Sequence, residues 1–170
     1  MDKNDIEKYL RMVGHELQEK GLTLDILLLG GAAMLVEFGN RESTQDIDTF
    51  FWSDFAAIAK AAAAVAEREG LPDGWLNNAA AGFTHNFIKQ PSMKLWRQFP
   101  GLRVYTPSVE YLFVTKIMAG RPRDEEDIMV LAQMLGISKR KDVLDLVTQY
   151  VPKEDLTVDV LRGIERCFRS

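Results

Sequence analysis

The spacing of apolar and polar residues predicts helices and strands that alternate at first and are followed by helices only. Between residues 2 and 20, apolar side chains recur at the spacing of one helix face, and Gly21 ends the pattern. Residues 22–29 form a dense apolar run, which is typical of a buried strand. A short helix is predicted for residues 32–38 and a second strand for residues 46–52.

The middle of the chain gives weaker signals. Ser53 is a candidate N-cap for a helix that runs to about residue 69. Residues 70–82 are rich in glycine, proline and asparagine, and we expect a loop with one helical turn near residues 75–80. A short strand is expected at residues 86–89, before Pro91 interrupts the pattern.

A further strand followed by a helix is predicted after residue 100. Residues 101–105 predict a strand, and Pro107 fits the first position of the helix that follows. That helix and three more are predicted over residues 108–119, 123–135, 139–150 and 156–168. The pattern therefore predicts an α/β (α+β) fold, with a small mixed sheet flanked by helices and a helical C-terminal segment. We expect residues 1–106 to form the core and residues 107–170 to pack on it as one compact unit.

Two carboxylates on the second predicted strand are the first candidates for chemistry. Asp46 and Asp48 are two residues apart, so their side chains point to the same side of the strand, with Cβ atoms about 6.5–7 Å apart. Paired carboxylates repel each other unless a cation or a proton lies between them. Mg²⁺ prefers one or two carboxylates plus substrate phosphates. The alternative is two exposed aspartates on an edge strand, which the apolar neighbours Ile47, Phe50 and Phe51 disfavour.

A double glycine separates the first strand from the short helix. Gly30 and Gly31 let the backbone approach a ligand closely, and the start of a helix offers N–H groups to an anion. On its own, the pair is better explained by a tight turn between a strand and a helix. Together with the two carboxylates that follow, it predicts a site for a metal ion and a nucleotide.

Composition, charge and cysteine content narrow the class of protein. The chain has 170 residues and a net charge of −4, so its overall field does not attract nucleic acid. The single cysteine excludes an internal disulfide, and with only two histidines a zinc site is disfavoured. The charged N-terminus lacks the apolar core of a signal peptide, and no stretch is long and apolar enough for a membrane. We therefore expect a cytoplasmic protein.

Basic residues are concentrated between residues 86 and 123, where the only acid is Glu110. The bases of this segment are Lys89, Lys94, Arg97, Arg103, Lys116, Arg121 and Arg123. Such a segment suits contact with phosphates, and it equally suits a solvated surface whose charges are balanced by neighbours.

Two blocks of the sequence resemble a known group of enzymes. Gly30-Gly31, a short helix, Arg41, Thr44 and Asp46-Ile47-Asp48 resemble the signature of the nucleotidyltransferase superfamily, in particular its minimal abortive-infection-type (AbiEii-like) branch. The second block is similar to that branch's pattern of K-x-x-A followed by R-x-R-D-x-x-D-I. Its residues are Lys116, Ala119, Arg121, Arg123, Asp124, Asp127 and Ile128.

The resemblance implies transfer of a nucleotide unit from an NTP to an acceptor, such as a tRNA end, a protein side chain or a small molecule. It implies that Asp46 and Asp48 hold Mg²⁺ or Mn²⁺, and that Gly30 and Gly31 cradle the triphosphate. It further implies a toxin or effector role in a toxin–antitoxin or phage-defence pair, with an antitoxin protein as partner.

Further roles implied by the resemblance concern residues outside the carboxylate pair and the glycines. Nucleotide binding would also involve Arg41, Thr44, Arg121 and Arg123. Lys116 would meet a phosphate as a point charge. Asp124 or Asp127 would position or activate the acceptor, or act as the third carboxylate.

The sequence departs from the pattern of this group at two places. Gly31 stands where many active members have a serine, which removes a hydroxyl group from the phosphate cradle. No acid follows on a clear strand after Asp48, and His85 or Asn86 would bring a polar group without a carboxylate's charge. The alternative function is therefore a catalytically silent nucleotide-binding or protein-interaction module with the same fold.

Overall fold

A computed structural model describes residues 1–39, 41–51, 54–79, 81–84 and 87–168 of the chain. The chain divides into two compact units. Unit 1 comprises Met1–Ala81 and Met93–Pro107, and unit 2 comprises Gly82–Ser92 and Ser108–Ser170. The expected packing of residues 107–170 on the core as a single unit stays a prediction.

Unit 1 is built on a five-stranded mixed sheet with the strand order β3-β2-β1-β5-β4. The strands are β1 Leu24–Leu28, β2 Ile47–Phe51, β3 Leu76–Asn77, β4 Met93–Phe99 and β5 Leu102–Pro107. β1 pairs antiparallel with β2 and parallel with β5, so it lies at the centre. Its apolar composition explains this place, since Ile26, Leu27 and Leu28 are at most 1% exposed. The mixed α/β fold predicted from the sequence is confirmed.

Residues of β2 alternate between the two faces of the sheet. Ile47 and Thr49 are fully buried, whereas Asp48 and Phe50, on the opposite face, are only partly buried. Alternation along a strand gives this division, because successive side chains point to opposite sides. The strand therefore presents Asp48 away from the face that holds its most buried residues.

Three helices of unit 1 are α1 Lys3–Gln18, α2 Gly30–Phe38 and α3 Phe55–Glu69. The carboxylate of Asp2 caps α1 by accepting hydrogen bonds from the N–H groups of Asn4 and Asp5. Asp54 caps α3 in the same manner, through the N–H of Ala57. Among the described residues, no helix is long and apolar enough to cross a membrane.

Unit 2 is mostly helical, as the sequence predicts. The helices that follow in chain order are α4 Ala81–Thr84, α5 Val109–Ala119, α6 Glu125–Leu135, α7 Arg140–Val147 and α8 Val158–Cys167. An aromatic cluster fixes the segment before β4 to this unit: the ring of Tyr111 lies 5.4 Å from that of Phe87 and 5.9 Å from that of Tyr150. Ile88 N–H also donates to the carbonyl of Tyr150 at 2.8 Å.

Two element boundaries differ from the sequence prediction. The helix expected at residues 32–38 begins at Gly30, so the double glycine forms the first turn of α2 and not a turn before it. Pro107 is the last residue of β5, where it pairs with Met93, and it is not the first residue of α5. Ser108 is the N-cap of α5. Pairing with the preceding strand, β4, decides the position of Pro107.

The prediction fails most clearly between residues 70 and 99. The helical turn expected near residues 75–80 is wrong, because Leu76 and Asn77 form β3 beside β2. No strand forms at residues 87–89, the described part of the strand expected at 86–89. β4, which the sequence pattern does not predict, exists because β5 pairs along it. Four residues used in the sequence argument lie outside the described residues: Trp52, Ser53, His85 and Asn86.

Candidate active site

Asp46 and Asp48 are placed at the beginning of β2. Asp46 lies one residue before the strand and is exposed, whereas Asp48 is the second residue of the strand and is partly buried. Asp48 is held by its backbone, since its carbonyl accepts a hydrogen bond from Leu29 N–H at 2.8 Å. This hydrogen bond joins β2 to Leu29, the residue directly before α2.

The carboxylate of Asp48 lies directly against Gly30. A methyl group placed on Gly30 would lie 2.3 Å from Asp48 Oδ2, which is far inside van der Waals contact. Gly30 also has a φ of +57°, a conformation that favours glycine. Two independent constraints therefore require glycine as the first residue of α2: the positive φ and the nearby carboxylate of Asp48, the predicted metal ligand.

Gly31 makes a second close contact in the same place. A methyl group on Gly31 would lie 2.8 Å from Thr44 Oγ1 and 3.6 Å from a guanidinium nitrogen of Arg41. The N-cap residue of α2 is Leu29, which supplies no side-chain hydrogen bond to the first turn. A helix start without a side-chain cap and with a cation beside it suits an anion.

Five of the residues predicted from the sequence thus meet within unit 1, namely Gly30, Gly31, Arg41, Thr44 and Asp48. Asp46 is joined to them through its backbone, because Thr44 Oγ1 donates to Asp46 O at 3.0 Å. This arrangement combines a carboxylate, a guanidinium group and closely approached backbone, which are the components of a site for a metal ion and a triphosphate.

The strand next to β2, β3, carries an amide side chain beside Asp48. Asn77 of β3 is paired in register with Asp48. Its side chain is used locally: Oδ1 accepts from Ala79 N–H at 2.9 Å, and Nδ2 donates to Gly74 O at 3.3 Å. The sequence pattern does not reveal this pairing, because it predicts a helical turn near residues 75–80.

The donor set at Asp46 and Asp48 fits a hard divalent cation that is completed by its substrate. Within the part of the chain that the structure describes, no three or more His, Cys, Asp or Glu side chains form a metal-holding group. Mg²⁺ is commonly bound by one or two carboxylates together with substrate phosphates. Binding of Mg²⁺ or Mn²⁺ by these two carboxylates stays a prediction.

Unit 2 contains a second set of predicted site residues, joined by a buried ion cluster. Lys116 of α5 donates to Asp124 Oδ1 at 2.6 Å and lies 2.8 Å from Asp127 Oδ2. The three side chains are only 6%, 6% and 1% exposed, in that order. Both acids lie at the start of α6, where the helix dipole favours them.

Burial changes the interpretation of these residues in part. Lys116, Asp124 and Asp127 are all buried, so their ion pairs lie in the interior and not on a helix surface. Arg121 and Arg123, in contrast, are exposed. Contact of Lys116 with phosphate, and of Asp124 or Asp127 with the acceptor, stays a prediction.

Comparisons with known proteins bear on the family to which the chain belongs. No curated protein and no solved structure matches the chain. A family model described as "Nucleotidyltransferase of unknown function (DUF6036)" matches residues 8–161. That match covers both units and both sets of predicted site residues. The chain belongs to this nucleotidyltransferase family.

Proposed function

We propose that this protein is a metal-dependent nucleotidyltransferase that moves a nucleotide unit from an NTP to an acceptor. The observation that carries the proposal is the contact between Asp48 and Gly30, which brings a metal-type carboxylate to the start of α2. Arg41 lies near the next residue of that helix, Gly31, and adds positive charge. The family to which the chain belongs supports nucleotidyl transfer in general.

In such a transfer, the acceptor's nucleophilic atom forms a bond to the α-phosphorus, and the bond to the pyrophosphate leaving group breaks. Gly30, Gly31 and Arg41 would bind and orient the triphosphate. Asp46 and Asp48 would hold Mg²⁺ or Mn²⁺, which supplies positive charge to the phosphates. Asp127 or Asp124 would position the acceptor or take up its proton.

We propose further that the protein is of the AbiEii-like type and acts as a toxin or effector with an antitoxin protein partner. The support is the second motif block, which contains Lys116, Arg121, Arg123, Asp124 and Asp127 at the spacing of that branch. A tRNA end, a protein side chain and a small molecule remain the candidate acceptors.

A transfer assay with each of the four α-labelled NTPs, Mg²⁺ and either total cell RNA or lysate tests this function. The proposal predicts that label from one or more NTPs becomes attached to one class of acceptor. The double variant Asp46→Asn/Asp48→Asn should abolish the signal, whereas the exposed loop variant Asp73→Asn should retain it. NTP binding without transfer would instead indicate the catalytically silent nucleotide-binding module. Absence of both transfer and NTP binding would indicate the protein-interaction module.

A further inference from the structure

The peptide unit between Asp46 and Ile47 is held at both of its ends. Ile47 N–H donates to the carbonyl of Trp75 at 2.7 Å, and the carbonyl of Asp46 accepts from Thr44 Oγ1 at 3.0 Å. Asp46 precedes β2 and its side chain is exposed. Its position therefore depends on these backbone hydrogen bonds more than on side-chain packing.

Thr44 is itself fixed on two sides. Its N–H donates to the carbonyl of Met1 at 2.9 Å, and the residue is 9% exposed. Its hydroxyl lies 2.8 Å from the point where a Cβ on Gly31 would be. Side chains do not approach one another that closely, so glycine at position 31 leaves the space that the hydroxyl occupies.

We propose that Thr44 is a positioning residue that sets Asp46 relative to the start of α2. The hydroxyl proton is used by the carbonyl of Asp46, so Thr44 acts through Asp46. Glycine at position 31 belongs to the same arrangement. Because it has no side chain, the hydroxyl of Thr44 has room between α2 and the strand that follows, β2. This inference rests on the proposed function.

Removing the hydroxyl while keeping the shape of the side chain isolates this role. Thr44→Val lacks the donor, Thr44→Ala is a second variant that lacks it, and Thr44→Ser retains it. The matched control is Thr49→Val, since Thr49 Oγ1 also donates to a backbone carbonyl, that of Asn77 at 2.7 Å, and Thr49 is fully buried. Thr49 lies on the sheet face opposite Asp48, so its loss tests general destabilisation.

Binding of Mn²⁺ in the presence of a non-hydrolysable NTP, followed by electron paramagnetic resonance, gives a readout that does not require turnover. We expect Thr44→Val and Thr44→Ala to weaken Mn²⁺ binding by about 10–100-fold, the usual effect of losing a residue that orients a metal ligand. Thr44→Ser should restore binding to near the wild-type value. Thr49→Val should lower the unfolding temperature without weakening Mn²⁺ binding.

Wild-type Mn²⁺ binding by both Thr44→Val and Thr44→Ala would overturn the inference and leave the proposed function intact. An equal loss of binding in Thr49→Val would also overturn it, because the effect would then follow from stability. If the wild-type protein binds no Mn²⁺ together with the nucleotide, the proposed function fails, and this inference fails with it.

Discussion

The carboxylate of Asp48 lies so close to Gly30 that the smallest side chain at position 30 would overlap it, with only 2.3 Å between the added carbon and Asp48 Oδ2. The two residues belong to different elements and are separated by the whole of α2 and the loop that follows. Their contact converts two sequence motifs, a double glycine and a pair of aspartates, into one local arrangement.

Gly30→Ala should therefore damage the site more than its backbone conformation alone explains. The added methyl group has to displace the Asp48 carboxylate, and it also meets the unfavourable φ of +57°. We expect a strong loss of Mg²⁺-dependent NTP binding, measured by isothermal titration calorimetry. Left-handed strain by itself costs a non-glycine residue roughly 1–2 kcal/mol.

Gly39→Ala is the matched control for this variant. Gly39 has a φ of +61°, but a methyl group there would have nothing within 4 Å. It should lower stability through strain and retain nucleotide binding once the protein is folded. Similar binding losses in both glycine variants would show that the contact with Asp48 is unimportant.

Lys116→Met should strongly destabilise unit 2. It leaves the carboxylates of Asp124 and Asp127 buried without their cation, a change that typically costs about 3–5 kcal/mol. Chemical denaturation at neutral pH measures the loss. Lys141→Met is the control, because Lys141 pairs with Asp145 on an exposed surface, and it should leave unfolding nearly unchanged. Equal effects of the two variants would contradict the role assigned to the buried cluster.

Tyr111 should make unit 2 sensitive to alkaline pH. Burial raises the pKa of its hydroxyl to about 12, an effect that a hydrogen bond with Thr84 partly offsets and proximity to Tyr150 reinforces. The unfolded chain loses this proton near pH 10, before the folded protein does, so the contribution to stability is complete below pH 10 and is lost between pH 10 and about 12.

Urea denaturation of wild type and Tyr111→Phe over this pH range checks the prediction. Phenylalanine has no proton to lose, so the difference in stability between the two proteins should be constant below pH 10 and should shift in favour of the variant above it. A difference that stays constant up to pH 11.5 would contradict the assigned cause.

The sequence predicted the half of the site that depends on local motifs. The double glycine and Asp48 were recognisable from residue type and spacing, and Arg41 and Thr44 from the resemblance to the nucleotidyltransferase signature. Unit 1 brings all of them together. The sequence could not reveal that Gly30 begins α2 or that Asp48 contacts Gly30. Both facts depend on hydrogen bonds between β1 and β2.

The errors of the sequence prediction have one physical cause. β3 contains only Leu76 and Asn77, and β4 contains exposed residues such as Lys94 and Arg97, so neither shows an alternating or buried pattern. Both are strands only because β2 and β5 offer them partners. Pairing between strands, and not the local pattern of hydrophobicity, therefore decides that these two segments are strands.

The central claim is that the Asp46–Asp48 strand and the start of α2 together bind a nucleotide and a metal ion. Calorimetric titration of the wild-type protein with a non-hydrolysable NTP, with and without Mg²⁺, tests it most directly. We expect binding that requires Mg²⁺ and disappears in the Asp46→Asn/Asp48→Asn variant. Binding that is equally strong without Mg²⁺, or unchanged in that variant, would contradict it.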